Sequence, residues 1–382
     1  MSTNLAPLDP PERLLCGPGP IDVEPAALQA MQRPMLSHLD PDTYPILLDL
    51  VDRLRTVYRA SEAAVVLPLQ ATGTSGMEAG LANLLEPDDT VIVGASGYFG
   101  FRISEMARRY TDNVVDVRAD WGEGISNERL LSALDEHPDA RMLAVVHAET
   151  STGVAHPLAE LGEAMRGRDT LLMADCVTSL GGMEVDFDGW GLDYAYSCTQ
   201  KCLGSPPGMS PIAVSQRAME RFHARKRPGP YSLDFDMLQD YWVKRPSVYH
   251  HTVPILHIYA LYEALRVVLE EGLEQRWARH TRVGEYLQRE VRTRDLELLA
   301  DSSRQLAQLT AIRVPDGVDG KAVQTHLLHE NNIEVGGGLG PQAPPMWRIG
   351  LMGYNAREEI ADRVLVAFDE ARAAQPGLTR TG

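Results

Sequence analysis

Short apolar runs alternate with helical patterns between about residues 14 and 241, and this alternation restricts the possible folds more than any other feature of the sequence. The apolar runs are nearly continuous, which is typical of parallel strands that helices cover on both faces. The predicted strands are 64–67, 90–94, 114–117, 142–147, 171–174, 194–197 and 211–215. The predicted helices between them are 75–85, 99–110, 127–136, 158–166 and 216–224. We therefore expect an α/β fold whose large domain contains a mostly parallel seven-stranded sheet.

The rest of the chain predicts a second, smaller α/β domain. Gly272 interrupts an apolar helical pattern at 255–271, and another helix follows at 273–291. The further predicted elements are strands at 308–314, 334–336 and 346–351 and helices at 321–331 and 356–373. We divide the 382 residues into an N-terminal arm at 1–12, a large domain at 13–271 and a small C-terminal domain at 272–382.

Lys201 is one of four lysines among the 36 lysines and arginines of the chain, and its surroundings differ from those of the other three. It ends a short apolar run and precedes a turn rich in glycine and proline, whereas the others lie in polar stretches. An apolar site lowers a lysine pKa because it disfavours the ammonium form. A neutral amine can attack an aldehyde and form a Schiff base, which is the chemistry of a pyridoxal 5′-phosphate (PLP) enzyme.

Asp175 is predicted at the carboxyl end of a buried strand, at the same edge of the sheet as Lys201. A carboxylate there can pair with the protonated pyridine nitrogen of PLP and keep the ring an electron sink. The alternative is an aspartate that caps the following turn.

The segment from Thr72 to Thr74 lies between an apolar strand and a helix. A helix N-terminus binds phosphate through its free N–H groups, Gly73 lets the backbone approach the anion, and the two threonines can add hydroxyl donors. The alternative is an ordinary helix cap, and the segment lacks the Gly-Lys-Ser/Thr sequence of a phosphate-binding loop.

Arg348 lies in an apolar strand of the small domain, where an arginine is rarely buried without a partner. A guanidinium can bind a substrate carboxylate with two parallel hydrogen bonds. The alternative for Arg348 is an internal ion pair.

Phe99, at a strand–helix junction, can lie flat on the pyridine ring or pack in the core. The hydroxyls of the segment 147–154, which includes Thr150, can contact the phenolic oxygen of the cofactor.

The ordered set of motifs resembles the class V aminotransferases of the fold-type I PLP superfamily, and within them the alanine–glyoxylate and serine–pyruvate aminotransferases. The motifs that carry this resemblance lie at 17–20, 149–153, 174–182, 200–208, 249–254, 336–340 and 348–353. The resemblance implies a PLP-dependent transfer of an amino group from alanine or serine to glyoxylate or pyruvate by a ping-pong mechanism. It also implies a homodimer with shared active sites.

The resemblance assigns a role to each candidate site residue. Lys201 is the expected Schiff-base lysine and general base, and Asp175 is the expected partner of the pyridine nitrogen. Thr150 is expected near the cofactor oxygen and the substrate, and Arg348 on the substrate carboxylate. The residues expected on the phosphate are Thr72, Gly73, Thr74 and Gln200 of one subunit with Tyr249 and Thr252 of its neighbour.

Three positions depart from the pattern of the alanine–glyoxylate enzymes and leave the amino donor and acceptor open. Phe99 stands where those enzymes carry tryptophan, Thr74 stands where some carry histidine, and the loop at 36–41, with Ser37-His38-Leu39, differs. The alternative donors are ureidoglycine, an aminophosphonate or pyridoxamine. A PLP lyase or a desulfurase is a weaker alternative, since a desulfurase needs a cysteine in the small domain and none follows Cys202. A PLP-free binding protein that kept the scaffold is a rival from another class.

The net charge of −17 argues against nucleic acid and anionic membranes as partners. No apolar stretch approaches the ~20 residues needed to span a bilayer, and the N-terminus lacks the pattern of a signal peptide. The four cysteines lack the spacing of a zinc site, so we expect no metal, free thiols and a cytoplasmic location.

Overall fold

Helices and strands alternate along the computed structural model, which describes residues 7–244 and 248–374. The strands are β1 (Leu14–Leu15), β2 (Val65–Leu69), β3 (Thr90–Ala95), β4 (Asn113–Arg118), β5 (Met142–Val146), β6 (Ala148–Glu149), β7 (Val154–Ala155), β8 (Leu171–Asp175), β9 (Tyr194–Tyr196), β10 (Ser210–Val214), β11 (Leu309–Arg313), β12 (Ile333–Glu334), β13 (Gly336–Gly337) and β14 (Met346–Gly350). The helices are α1 (Pro25–Ala30), α2 (Thr43–Tyr58), α3 (Gly73–Leu84), α4 (Tyr98–Ala107), α5 (Asn127–Glu136), α6 (Leu158–Met165), α7 (Gln216–His223), α8 (Phe235–Val243), α9 (Ile255–Glu271), α10 (Leu273–Arg292), α11 (Gly320–His329) and α12 (Glu358–Ala373). Short 3₁₀ turns span Tyr231–Leu233 and Gly353–Asn355.

The central sheet has seven strands in the order β2-β10-β9-β8-β5-β3-β4. Strand β10 runs antiparallel to both of its neighbours, and the other adjacent pairs are parallel. The expected mostly parallel seven-stranded sheet is therefore confirmed. The parallel strands end at one edge, where Val146, Asp175 and Tyr196 lie side by side on β5, β8 and β9. Functional groups of open α/β sheets collect at this edge.

The largest hydrophobic cluster packs the helices against this sheet and extends along the chain from Leu47 to Leu273. Helix α2 contributes to it through a buried face with Leu47, Leu50 and Leu54. Helices α1, α2 and α8 are absent from the sequence prediction. The apolar spacing of α2 was a usable signal, since residues three or four apart share a helix face.

The second hydrophobic cluster combines Cys16 with residues from Val283 to Ala371. It surrounds an antiparallel sheet in the order β11-β14-β13. Gly272, with φ of 84°, separates α9 from α10 close to the proposed domain boundary. Strand β1 pairs in parallel with β12, so this N-terminal piece packs with C-terminal elements.

The predicted strand at 334–336 is two strands in the structure. Strand β12 pairs with β1, whereas β13 pairs with β14, and the buried residue Val335 lies between them.

In the part of the chain that the structure describes, no helix combines the length and apolar character needed to cross a bilayer. Residues 7–12, the described part of the predicted N-terminal arm, form neither helix nor strand.

Candidate active site

A cavity of about 300 Å³ opens at the carboxyl edge of the central sheet. Its lining includes nine of the eleven predicted site residues: Thr72, Gly73, Thr74, Phe99, Thr150, Asp175, Gln200, Lys201 and Arg348. It is completed by Pro18, Gly19, Met77, Arg102, Val177, Tyr196, Cys198 and Leu339. The other two predicted residues, Tyr249 and Thr252, lie outside this lining as the described residues form it.

Lys201 is buried, with 6% of its surface exposed, and follows the end of β9. Its Nζ donates to the carbonyl oxygen of Pro18 at 2.8 Å and to the hydroxyls of Thr178 and Thr150 at 3.2 and 3.3 Å. Burial lowers the pKa of Lys201, because the ammonium loses hydration, although Cys198 and Asp175 act in the opposite direction. Burial thus shifts the pKa of Lys201 in the direction that Schiff-base chemistry needs.

Asp175 is the last residue of β8 and is buried. Its Oδ2 accepts a hydrogen bond from the Tyr196 hydroxyl at 2.6 Å, and its Oδ1 accepts one from the Val177 N–H at 2.9 Å. Burial raises the pKa of Asp175 to about 6, against the lowering effect of these two hydrogen bonds. The carboxyl group is therefore mostly ionised at neutral pH and presents a negative charge to the cavity.

The N-terminus of α3 forms one end of the cavity. The side chain of Thr72, at the N-cap position, makes no capping hydrogen bond within the described chain. A Cβ atom at Gly73 would lie 3.0 Å from the Val177 side chain, so the helix start fits there only as glycine or with movement of its neighbour. The Arg102 guanidinium donates to the Thr74 hydroxyl at 3.2 Å and adds positive charge beside this helix end.

Gln200, next to Lys201, is half-buried, and its amide oxygen is fully buried. Its Oε1 has no hydrogen-bond partner among the described residues. The two ends of a glutamine amide are assigned from their hydrogen-bond network, so the group offers either a donor or an acceptor to a bound molecule. An orphaned buried amide, a free helix N-terminus and nearby hydroxyls together fit a phosphate group.

Arg348 is buried in β14 on the side of the cavity that the C-terminal elements form. Its Nε donates to the Gly337 carbonyl at 2.7 Å and its Nη1 donates to the Thr150 carbonyl at 2.9 Å. Burial lowers its pKa to about 10, while Glu149 opposes this shift. No salt bridge to Arg348 occurs within residues 7–244 and 248–374, so the internal ion pair considered above is not observed there.

Phe99 lies in the first turn of α4 with its ring centroid 5.9 Å from the Nζ of Lys201. It is half-buried and packs partly against the large hydrophobic cluster. The Arg102 guanidinium lies 4.9 Å from the same ring centroid. The ring therefore packs against the core and also lines the cavity. Core packing, one of the two alternatives for Phe99, thus does not exclude the other, a contact with the cofactor.

Tyr249 and Thr252 lie together on the protein surface. The Tyr249 side chain is 60% exposed, and its hydroxyl is 3.3 Å from the Thr252 hydroxyl. Its ring packs against His38, in the loop that departs from the expected pattern, at a centroid distance of 5.6 Å. This placement is compatible with the expectation that both residues serve a neighbouring subunit, which stays a prediction.

Three groups at the site were not predicted from the sequence: Arg102, Tyr196 and Thr178. Arg102 follows Phe99 by one helical turn, and that spacing was a signal that both face the same side. Tyr196 lies opposite Asp175 only because of the strand register, and Thr178 reaches Lys201 through a turn. Neither of these two contacts has a sequence signal of its own.

Comparisons with known proteins identify the family of the chain. The family model described as "Aminotransferase class-V" matches residues 29–362. The chain is 36% identical to the (S)-ureidoglycine–glyoxylate transaminase of Bacillus subtilis, with 94% of this chain and 90% of the relative covered. It is also 36% identical to the alanine–glyoxylate aminotransferase of Oryctolagus cuniculus, with 96% and 94% covered.

Solved structures extend the likeness to the fold. The alanine–glyoxylate aminotransferase of Nostoc sp. superposes with a TM-score of 0.93 at 46% identity, covering 97% of both chains. The pyridoxamine–pyruvate aminotransferase of Mesorhizobium loti superposes with a TM-score of 0.91 at 28% identity, covering 97% of this chain and 94% of that one.

The fold and the cavity define a fold-type I PLP-dependent enzyme. The matches over nearly the whole length narrow this class further: the chain belongs to the class V aminotransferase family. Its cofactor is PLP, and the cavity supplies a lysine, a carboxylate, an aromatic ring and an anion-binding helix end that fit the aldehyde, pyridine and phosphate groups of that molecule.

Proposed function

We propose that this aminotransferase moves an amino group from a small amino acid, alanine or serine, to a 2-oxo acid, glyoxylate or pyruvate, in two half-reactions. The observation that carries the proposal is the position of Thr150 between two anchors. Its hydroxyl is 3.3 Å from the Nζ of Lys201, and its carbonyl is 2.9 Å from the Nη1 of Arg348. We infer that a short amino acid binds between these two anchors, with its amine and α-carbon near the lysine and its carboxylate at the arginine.

Lys201 carries the proton chemistry in this proposal. When bound, PLP supplies an aldehyde and a ring that accepts the electron pair released at the substrate α-carbon. Lys201 would hold the aldehyde carbon of PLP through its Nζ until a substrate amine takes its place there. The freed amine then takes the α-proton as general base, a role that its lowered pKa supports.

Asp175 is the proposed partner of the protonated pyridine nitrogen. Its ionised carboxylate would form a charge-assisted hydrogen bond with the ring N–H and keep the ring cationic. The two hydrogen bonds from Tyr196 and Val177 hold the carboxylate in place and leave acceptor sites on both oxygens. Thr72, Gly73, Thr74 and Gln200 are proposed to bind the phosphate at the other end of the cofactor.

Arg348 is the proposed carboxylate anchor. A guanidinium has five N–H donors, and the bonds to Gly337 and Thr150 use two of them. These two bonds fix the plane of the group, which favours two-point binding of a carboxylate. Glu149 acts on the buried guanidinium electrostatically without forming a salt bridge among the described residues, so the positive charge can offset the cost of taking a substrate carboxylate out of water.

Relatives with other donors define the second candidate function. The Bacillus subtilis relative is named for ureidoglycine and the Mesorhizobium loti structure for pyridoxamine, while both names include a 2-oxo acid acceptor. Phe99 supports this candidate, because it is smaller than the tryptophan expected in alanine–glyoxylate enzymes and leaves more room above the ring. The size of the cavity, about 300 Å³ including the space for the cofactor, instead favours a small donor.

We further propose that the enzyme acts in the cytoplasm as a homodimer with shared active sites. Four exposed apolar side chains lie in the segment 28–48, and exposed apolar surface is a common feature of interfaces: Leu28, Met35, Leu39 and Leu48. The exposed pair Tyr249 and Thr252 would reach the phosphate of the partner site. All four cysteines are buried free thiols, which supports a reducing compartment.

A spectral screen of the purified holoenzyme tests the proposed function. Each donor is added alone, and the absorption band of the bound aldehyde form is followed as it converts to the amine form. Alanine or serine should convert the cofactor, and glyoxylate or pyruvate should restore it. Conversion by ureidoglycine, pyridoxamine or 2-aminoethylphosphonate alone would favour the second candidate, and a Lys201→Ala variant should show no turnover with any donor.

A further inference from the structure

Glu149 is a fully buried carboxylate directly behind the wall of the active-site cavity. It ends the short strand β6 and lies one residue before Thr150. Its Oε1 accepts hydrogen bonds from the N–H and the hydroxyl of Ser151, at 3.0 and 2.6 Å. Its Oε2 accepts hydrogen bonds from the N–H groups of Phe99 and Gly100, at 3.1 and 3.2 Å. One carboxylate thus joins two segments that lie about fifty residues apart in the chain.

Burial raises the pKa of Glu149, whereas the hydrogen bonds from Ser151, Phe99 and Gly100 oppose this shift and favour the ionised form. Both oxygens already accept two donors each, so neither has room for a proton. It sits at the N-terminus of α4, where the helix dipole favours a negative charge. Its charge also favours the buried Arg348 guanidinium.

The start of α4 and the segment 149–151 lie too close together for any side chain at Gly97. A Cβ atom at Gly97 would lie 2.4 Å from the Ser151 hydroxyl and 2.6 Å from the Glu149 Cγ. The Tyr98 N–H donates to the same Ser151 hydroxyl at 2.8 Å, which in turn donates to Glu149. The start of α4 is therefore fixed against the segment 149–151 by a continuous set of hydrogen bonds.

We infer that Glu149 is a positioning residue of the active site, an inference that rests on the proposed function. It holds Phe99 in the cavity wall at a set distance from Thr150, whose two polar groups contact Lys201 and Arg348. The residue itself touches neither cofactor nor substrate, because it lies behind the cavity lining. Without Glu149, the Phe99 ring should shift relative to Lys201 and Arg348. Small displacements of that kind lower kcat steeply.

Two variants test the inference. Glu149→Gln keeps the shape of the side chain but brings an NH₂ group against N–H donors. Ser151→Ala removes one of the four hydrogen bonds to Glu149 and is the milder change. The matched control is Asp319→Asn, because Asp319 also accepts two backbone N–H groups at a helix start, those of Lys321 and Ala322, on an exposed surface of α11.

The readouts are the visible circular dichroism of the bound cofactor per molecule of PLP, and kcat and KM for the amino donor. We expect Glu149→Gln to reduce the circular dichroism signal at least about twofold and kcat by about tenfold to a hundredfold, with KM changed by less than about threefold. Ser151→Ala should change both in the same direction by a smaller factor. Asp319→Asn should leave the circular dichroism and kcat as in the wild type, whatever it does to the melting temperature.

A Glu149→Gln protein with wild-type circular dichroism and kcat would overturn the inference. If that variant does not fold, Ser151→Ala decides in its place: unchanged cofactor dichroism and kcat would show that the network has only a structural role. A wild-type protein that binds PLP and transaminates keeps the proposed function intact in either case. A wild-type protein that binds no PLP would remove the proposed function and this inference together.

Discussion

Asp175 and Tyr196 lie directly opposite each other on the parallel strands β8 and β9, and the Tyr196 hydroxyl donates to the Asp175 Oδ2 at 2.6 Å. The strand register brings a buried donor to the carboxylate that is proposed to hold the pyridine nitrogen. Burial raises the pKa of Asp175 to about 6, and the hydrogen bond from Tyr196 lowers it. The tyrosine thus helps to keep the carboxylate ionised in a site that disfavours charge.

The first prediction concerns this pair. Transamination needs ionised Asp175, so activity should fall as the pH decreases through the pKa of that carboxyl group. Tyr196→Phe removes a group that lowers this pKa, and the acidic limb of kcat/KM against pH should move upward by about one pH unit. Tyr194→Phe is the control, because it changes a buried tyrosine of the same strand that bonds to the Gly76 carbonyl instead. An acidic limb that stays in place or moves downward in Tyr196→Phe would contradict the assignment.

The second prediction concerns the carboxylate anchor. Arg348→Lys keeps the positive charge but loses the planar group that binds a carboxylate at two points. KM for the amino donor should rise about 10- to 100-fold, while the absorption of the bound cofactor stays unchanged. Arg313→Lys is the control, since Arg313 ends β11 and pairs with Glu297 near the surface. Unchanged KM for both the donor and the 2-oxo acid in Arg348→Lys would remove the arginine from the substrate site.

The third prediction concerns the close contact between Gly19 and Lys201. Gly19 has φ of 103°, and a Cβ atom there would lie 3.1 Å from the Lys201 Cγ. Gly19→Ala should therefore lower kcat as well as stability, because it strains the backbone by about 1–2 kcal/mol and displaces the lysine. Gly167→Ala separates the two effects, because Gly167 has φ of 81° but no atom within 4 Å of an added Cβ. Equal kcat in both variants would show that the contact with Lys201 is unimportant.

The fourth prediction concerns the phosphate end of the cavity. Thr74→Val removes a hydroxyl with little change in shape, and it removes the acceptor of the Arg102 hydrogen bond. The dissociation constant for PLP should rise about 10-fold or more, whereas binding of pyridoxal, which has no phosphate, should change little. Thr325→Val, at an exposed position of α11, is the control. The proposed phosphate site would be wrong if pyridoxal and PLP lost affinity equally.

Much of the fold was predictable because its strands are apolar on both faces. The seven strands of the central sheet match the predicted runs to within a few residues, since a strand covered by helices leaves a continuous apolar signal. Helix α2 was not predicted, although Leu47, Leu50 and Leu54 have helical spacing and Pro45 lies in its first turn, where a proline is tolerated. The pairing of β1 with β12 joins residues that lie more than 300 positions apart, and no local pattern predicts such a contact.

The candidate site was likewise predicted only in part. Residues such as Lys201, Asp175 and Arg348 were found because each is a polar group in an apolar setting, which requires a reason. The role of Glu149 depends on hydrogen bonds to backbone groups of α4, and those groups have no signature in the sequence. Thr178 and Tyr196 likewise act through register and turn geometry.

The central claim is that Lys201 binds the PLP aldehyde. Reduction of the purified holoenzyme with borohydride fixes such a linkage, and peptide mass mapping then locates it. We predict one pyridoxyl group per chain, on the peptide that contains Lys201. Lys201 is the one buried lysine of the four, whereas Lys226, Lys244 and Lys321 are exposed. A pyridoxyl group on one of those exposed lysines, or on none in folded protein that binds PLP, would contradict it.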